Sequence, residues 1–255
     1  MIRLGASGFS YDDWVGPVYP ESLPRRDWLA FYAREFDCLE LNVTYYRVPG
    51  LKTIAGWIDR TPEGFLFSVK AHGSLTHDRL SPDFAAFSRA ILPLSESTKL
   101  ACVLAQFPSS FRPTAQNADY LHRMRDGLGE LPLVIEFRDR AWAQEATFRL
   151  LAKLPAGYCC VDEPPLPGLM PPLARAIGPL AYVRFHGRNA ARWWEHEAAW
   201  QRYAYTYSDE ELAEWLPRLQ ELDAEAPLTL AFANNHYRGQ SLDTLRRLRR
   251  LLARP

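Results

Sequence analysis

The sequence predicts an α/β protein built as a single (β/α)8 TIM-like barrel with long loops on its C-terminal face. Three observations carry that prediction. Eight short β-type runs recur along the chain, each followed by a helical pattern. Most runs are nearly continuous in apolar residues, as parallel strands covered on both faces are. The length of 255 residues is close to the roughly 250 that eight such units occupy. No linker, low-complexity tract or charge run marks a boundary, so residues 1–255 read as one domain.

The β-type runs span 2–7, 38–42, 65–71, 101–107, 133–137, 158–162, 181–187 and 229–235. Between the first two, Ser22 and Pro24 open a run with Trp28, Phe31, Tyr32 and Phe36 at helical spacing. Ser81 and Pro82 supply a cap and a first-turn proline ahead of Phe84, Phe87 and Ile91. Tyr120, Leu121, Met124 and Leu128 form the next stripe. A short helix is expected over 171–177. Ser208 to Glu211 is a capping box ahead of Leu212, Trp215, Leu216 and Leu219, and Pro217 is expected to kink that helix. Leu242, Leu245, Leu248 and Leu252 predict a last helix over 239–254, with Arg246, Arg247, Arg249 and Arg250 on a solvated face. Trp28 and Trp57 read as helix-to-barrel packing. Eight β-α units favour a closed barrel over an open doubly wound sheet. No G-x-G-x-x-G follows the first run, so a dinucleotide fold gains no support.

Thirty Lys and Arg balance thirty Asp and Glu, and 47% of residues are hydrophobic. That composition excludes a disordered chain and a disulfide scaffold. Zero net charge argues against non-specific coating of nucleic acid or anionic membrane. Cys38, Cys102, Cys159 and Cys160 lie in apolar stretches without a C-x-x-C pair, and read as small buried hydrophobes. No apolar run approaches the roughly 18 residues of a membrane span, so no membrane partner and a reduced, cytoplasmic location are expected.

In a barrel, catalytic groups sit at the C-terminal ends of strands. The polar residues follow that rule. Glu40 and Asn42, Ser68 and Lys70, Glu136 and Arg138, and Arg184 and His186 are i, i+2 pairs, each sharing one strand face. His72, His77, Gln106, Asp162, Arg188, Asn234, Asn235 and His236 lie at or just after strand ends. Charges in apolar strands must be paired or wetted, which predicts a polar pocket at the barrel mouth. The competing reading of Glu136 with Arg138, or of Glu40 with Arg184, is a buried ion pair. Two loops on this face are long: 163–170 is proline-rich, and 188–207 carries three Trp and three Tyr.

The stretches GASGFSYDDWVGPVYP, FDCLELNVTYYRVP, FLFSVKAHGSLTH, VLAQFPSSF, VIEFRDRAW, YVRFHGRNAARWW, RYAYTYSDEEL and FANNHYRG together resemble the YecE-like family, a domain of unknown function (DUF72). The resemblance runs in order through essentially the whole chain. It implies a TIM-barrel-like fold and brings no assigned reaction. Its motifs add Tyr45 to the candidate ligand contacts. Asp139 and Ala204 stand where the family pattern leads one to expect histidine and aspartate.

These residues support an acid–base enzyme acting on an anionic small molecule, phosphorylated or sugar-like. Glu136 and Glu40 are the candidate acid and base, His186 and Lys70 further catalytic groups. Asn42, Tyr45, His77, Gln106, Arg138, Asp162, Arg184, Arg188, Asn234 and Asn235 are the candidate substrate contacts. A phosphate is expected near 186–188 and at the start of the last helix, 239–241. No cofactor is implied. The alternatives are a divalent-metal phosphoester hydrolase or sugar isomerase, using Glu40, Glu136, Asp162, His186 and His72, and a nucleotide or single-stranded nucleic-acid binder using the aromatics and arginines of 188–207. No H-E-x-x-H or H-x-H motif supports the metal. Lys70 as a Schiff-base nucleophile has no supporting motif either. Glu136→Gln is expected to abolish turnover while costing under about 2 kcal/mol of stability; a larger loss marks an ion pair.

Overall fold

A computed structural model of the chain describes residues 1–253, apart from the side chain of Ala199. Eight parallel strands close into a barrel in sequence order. They are β1 (Ile2–Ser7), β2 (Cys38–Leu41), β3 (Leu66–Lys70), β4 (Leu100–Gln106), β5 (Leu133–Glu136), β6 (Ala156–Asp162), β7 (Ala181–Phe185) and β8 (Thr229–Ala233). β8 returns to β1, pairing Ile2 with Thr229 and Ala6 with Ala233, which leaves no open edge. The helices are α1 (Trp28–Tyr32), α2 (Val43–Tyr46), α3 (Leu51–Asp59), α4 (Phe84–Glu96), α5 (Ala115–Leu128), α6 (Glu145–Lys153), α7 (Ala199–Tyr203), α8 (Asp209–Ala213), α9 (Leu216–Glu225) and α10 (Gln240–Leu252). Among the described residues, no helix is long and apolar enough to cross a membrane.

Alternation along each strand sorts side chains between the barrel interior and the helix layer. On β7, Phe185 faces outward and meets Trp215 and Tyr207 edge-on. Its neighbours Tyr182 and Arg184 send their polar ends across the interior to β2 and β5. After β5, Phe137 stacks on Trp142 at 4.2 Å, while Glu136 points inward. The apolar half of each run therefore builds the strand–helix core, and the polar half fills the barrel. All four cysteines are free and buried; Cys102 lies 3.5 Å from the Ser68 hydroxyl.

Three expectations are corrected. Residues 171–177 form no helix. Pro171 and Pro172 precede an irregular strip that lies along β6, where the Arg175 N–H donates to Cys160 Sγ. Gly178 then turns at a φ of +80° against the backbone of Ala156, where a Cβ would come within 2.7 Å. Pro217 does not kink one helix; it sits in the first turn of α9, and the chain breaks into α8 and α9 before it. Ser81 is not the cap of α4: Asp83 accepts from the Ala86 N–H instead. The last helix is found as α10; residue 254 lies outside the described residues. Its arginines are more engaged than a solvated face requires, since Arg246 forks onto Glu35 and Arg249 covers the Phe36 ring.

Candidate functional site

At the C-terminal ends of the strands lies a cavity of about 630 Å³. Lys70 from β3, Asn42 from the end of β2, and Asn234 and His236 beyond β8 supply its polar groups. Phe9, Tyr11, Tyr46, Trp57, Trp200 and Tyr203 supply aromatic surface. Trp57 thus does more than pack: it lines the cavity as well as lying 6.5 Å from Phe67. A larger depression, about 790 Å³, lies at the opposite end of the barrel. Its Arg3 and Asp37 pair with each other, and Asp223 takes the N-terminal amine.

Beneath the cavity runs a charged network that fills the barrel. Arg184 is 1% exposed and forks between two carboxylates on opposite sides. Its Nη2 meets Glu40 Oε1 at 2.6 Å, and its Nη1 meets Glu136 Oε2 at 2.7 Å. Arg138 Nε lies 2.6 Å from Glu136 Oε1, and its Nη1 reaches Glu163. Tyr182 donates to Glu40 Oε2 at 2.7 Å and is itself 2.7 Å from Ser68 Oγ. The Asn234 amide N–H donates to His186 Nδ1, so His186 carries its proton on Nε2 and donates it to Glu136 Oε1 at 3.1 Å.

These contacts set the protonation states. Burial alone would raise the Glu136 carboxyl, but Arg138 and Arg184 beside it hold it well below the usual range. Burial, then the Arg138 guanidinium, hold His186 neutral far below its ordinary value. Burial raises Glu163 to about 7, with Arg138 opposing. Burial and the neighbouring Arg184 lower Lys70 to about 8. Its ammonium lies 4.9 Å from the Tyr45 ring, and among the described residues no carboxylate approaches it within the 4 Å of an ion pair.

The structure brings Glu40, Glu136, His186, Lys70, Arg138, Arg184 and Asn234 together, with Asn42 on the cavity wall. It engages other candidates elsewhere. Asp162 accepts from Arg188, from Tyr207 and from the Trp215 indole, and Arg188 also grips Glu214. Both residues pin the loop 188–207 and neither lines the cavity. Asn235 donates to Tyr205 O and Thr244 Oγ1. Gln106 donates to the Phe107 carbonyl. His77, lowered to about 4 by burial and Lys70, meets the edge of Tyr45 at 5.0 Å. The expected phosphate cups are closed to solvent or covered, and one has an internal partner. The Gly187 N–H donates to Tyr207 Oη, Val18 covers Gly239 and Ser241 is fully buried. Of the loop aromatics, Trp193 and Tyr207 are buried, whereas Trp194 and Trp200 are exposed, Trp200 stacking on Tyr237 at 4.2 Å.

Among the described residues, no group of three His, Cys, Asp or Glu side chains is arranged to hold a metal. Arginines occupy the carboxylates that a metal would need. Sequence reasoning missed Tyr182, Glu163, Tyr11 and the lining Trp57. The i, i+2 rule applied one step earlier on β7 would have found Tyr182, and Glu163 directly follows a strand end.

The family model described as "Protein of unknown function DUF72" matches residues 3–255. The UPF0759 protein YunF of Bacillus subtilis (strain 168) is 30% identical over 270 residues, spanning 99% of this chain and 95% of that protein. A crystal structure of a DUF72 family protein from Thermotoga maritima superposes with a TM-score of 0.92 at 38% identity, covering all of both chains. A xylose isomerase domain containing protein from Salmonella typhimurium shares the fold alone, with a TM-score of 0.55 and 12% identity over 99% of this chain and 97% of that one. With one family model spanning nearly its whole length and solved DUF72 barrels superposing on it, the chain belongs to the DUF72 family.

Proposed function

We propose that the cavity is the active site of an acid–base enzyme acting on a small, anionic, sugar-like molecule, with Lys70 as its working ionisable group. The observation that carries this reading is the isolation of Lys70. Arg184 and Arg138 already compensate Glu40 and Glu136, so Lys70 adds a cation at the cavity floor that favours an anionic group. A pKa near 8 lets it exchange a proton in the neutral range. Asn42 and His236 line the cavity, and their Oδ1 and Nδ1 atoms are buried without a protein partner. Trp57, Trp200 and Tyr203 offer flat apolar faces to a ring.

In this reading Glu136 and Glu40 are positioning residues, not the acid and base. Glu40 is engaged by Arg184 and Tyr182, and Glu136, held far below its usual pKa by Arg138 and Arg184, is a poor proton carrier at neutral pH. A phosphorylated substrate and a divalent-metal mechanism have less support, because the Gly187 N–H and the carboxylates are engaged internally and Ser241 is buried.

The test is thermal denaturation against a panel of aldoses, uronic acids, aldonic acids and 2-oxo acids. At least one compound is expected to raise the Tm saturably. Lys70→Met and Trp200→Ala are each expected to weaken its Kd about tenfold or more, the loss of roughly 1.4 kcal/mol of contact. Stabilisation by none of the panel, or stabilisation indifferent to both substitutions, overturns the reading.

A further inference from the structure

The geometry points to Lys70 as a covalent site: we infer that its amine condenses with the carbonyl of an anionic aldehyde or ketone to form an imine. This deepens the active-site reading above and rests on it.

The case begins with placement. Lys70 ends β3 with its side chain on the cavity wall. Its backbone is fixed, because Thr44 Oγ1 donates to the Lys70 carbonyl at 2.5 Å. Its Nζ lies 4.9 Å from the Tyr45 ring, and no carboxylate among the described residues holds it as an ion pair. Lys99, which is buried, shows the contrast. Lys99 donates to the carbonyls of Ile58 and Thr61 and to the Thr61 hydroxyl, which uses up its hydrogen-bonding capacity. Lys70 has no such cage. A lysine that is desolvated and flanked by other cations is the arrangement that frees an amine for attack. Its lowered pKa, caused by burial and Arg184, agrees with that arrangement.

The chemistry balances without a further reactant. The neutral amine forms a C–N bond to the carbonyl carbon, and the C=O π electrons move to oxygen, which takes a proton. The carbinolamine then loses its oxygen as water, leaving an iminium. Counted from the ammonium, one lysine cation and one carbonyl give one iminium cation and one water. The charge at this position is the same before and after, so the balance with Glu40, Glu136, Arg138 and Arg184 is undisturbed. The retained positive charge also suits a carboxylate next to the carbonyl, as in a 2-oxo acid.

The chain has four lysines, Lys52, Lys70, Lys99 and Lys153, which makes the site easy to map. The full-length protein at pH 7 would be incubated separately with pyruvate and with glyoxylate, reduced with sodium cyanoborohydride, digested and mapped by mass spectrometry. The expected result is a reduced adduct on Lys70, at least tenfold above Lys52 and Lys153, with one probe or both. Lys70→Arg removes that adduct and leaves the others unchanged. Equal labelling of all accessible lysines, or none at Lys70 with either probe, overturns the inference. If Lys70 stays unlabelled while Lys70→Met still abolishes ligand-induced stabilisation, the imine falls and the active-site reading stands. If both fail, both fall.

Discussion

Replacing Lys70 by Met should stabilise the protein while removing its function. On folding, Lys70 moves from a pKa of 10.5 to about 8, because burial and then Arg184 disfavour its charge. The folded state therefore carries a cost wherever the lysine is charged in both states, which is below about pH 8. Between pH 8 and 10.5 the unfolded chain holds a proton that the folded chain has released, so wild-type stability rises through that window. The interval corresponds to about 3 kcal/mol at about 1.4 kcal/mol per unit. Lys70 keeps partial contact with solvent at the cavity, which reduces the usable part to about 1–2 kcal/mol. Methionine keeps the length of the apolar stem without the charge. Urea denaturation at pH 6.5 is expected to give the variant about 1–2 kcal/mol of additional stability, and the advantage should shrink towards zero by pH 10. A variant less stable than wild type at pH 6.5, or a difference that does not change with pH, refutes the reasoning: Lys70 would then be held by favourable contacts.

Glu136→Gln tests the network beneath the cavity. It removes the charge that compensates Arg184 and Arg138 at a site with no solvent exposure, so the expected loss is about 3–5 kcal/mol by urea denaturation. This replaces the expectation of under 2 kcal/mol that a purely catalytic role gave; a smaller loss would restore that role. Arg188→Ala should release the loop 188–207 from Asp162 and Glu214, seen as at least tenfold faster limited proteolysis within that loop. Cleavage at the wild-type rate would mean that Asn189, Arg202 and Tyr207 hold the loop by themselves.

The barrel was legible because parallel strands buried on both faces write themselves as apolar runs, and the interior polar residues interrupt those runs at a period of two. Glu40, Ser68, Lys70, Glu136, Arg138, Arg184 and His186 were all found that way, and the structure brings them to one network or its edge. What each one does was not legible. Whether Glu136 is free or clamped depends on Arg184 reaching it from a strand 48 residues away, and spacing within a strand says nothing of that. Asp162 and Arg188 have the residue types of a binding site, yet Tyr207, Trp215 and Glu214 satisfy them from the loop and helix that follow β7. The irregular strip at 171–177 was misread for a similar reason. Its apolar spacing resembles a helix, but two prolines at its start and a sulfur acceptor on β6 offer its backbone other partners.

The Arg184 fork also bears on how the barrel can be divided. Glu40 lies in the first four strands, whereas Arg184, Glu136 and Arg138 lie in or beside the last four. Neither half is electrically complete. Strands β1 to β4 alone would bury Glu40 without its guanidinium, and β5 to β8 would lose one arm of the fork across a separation of 144 residues. Burying an unpaired charge costs more than a half-barrel's apolar surface readily offsets. The interior thus couples the two halves into one cooperative unit, and severed halves should recover a native state only when mixed.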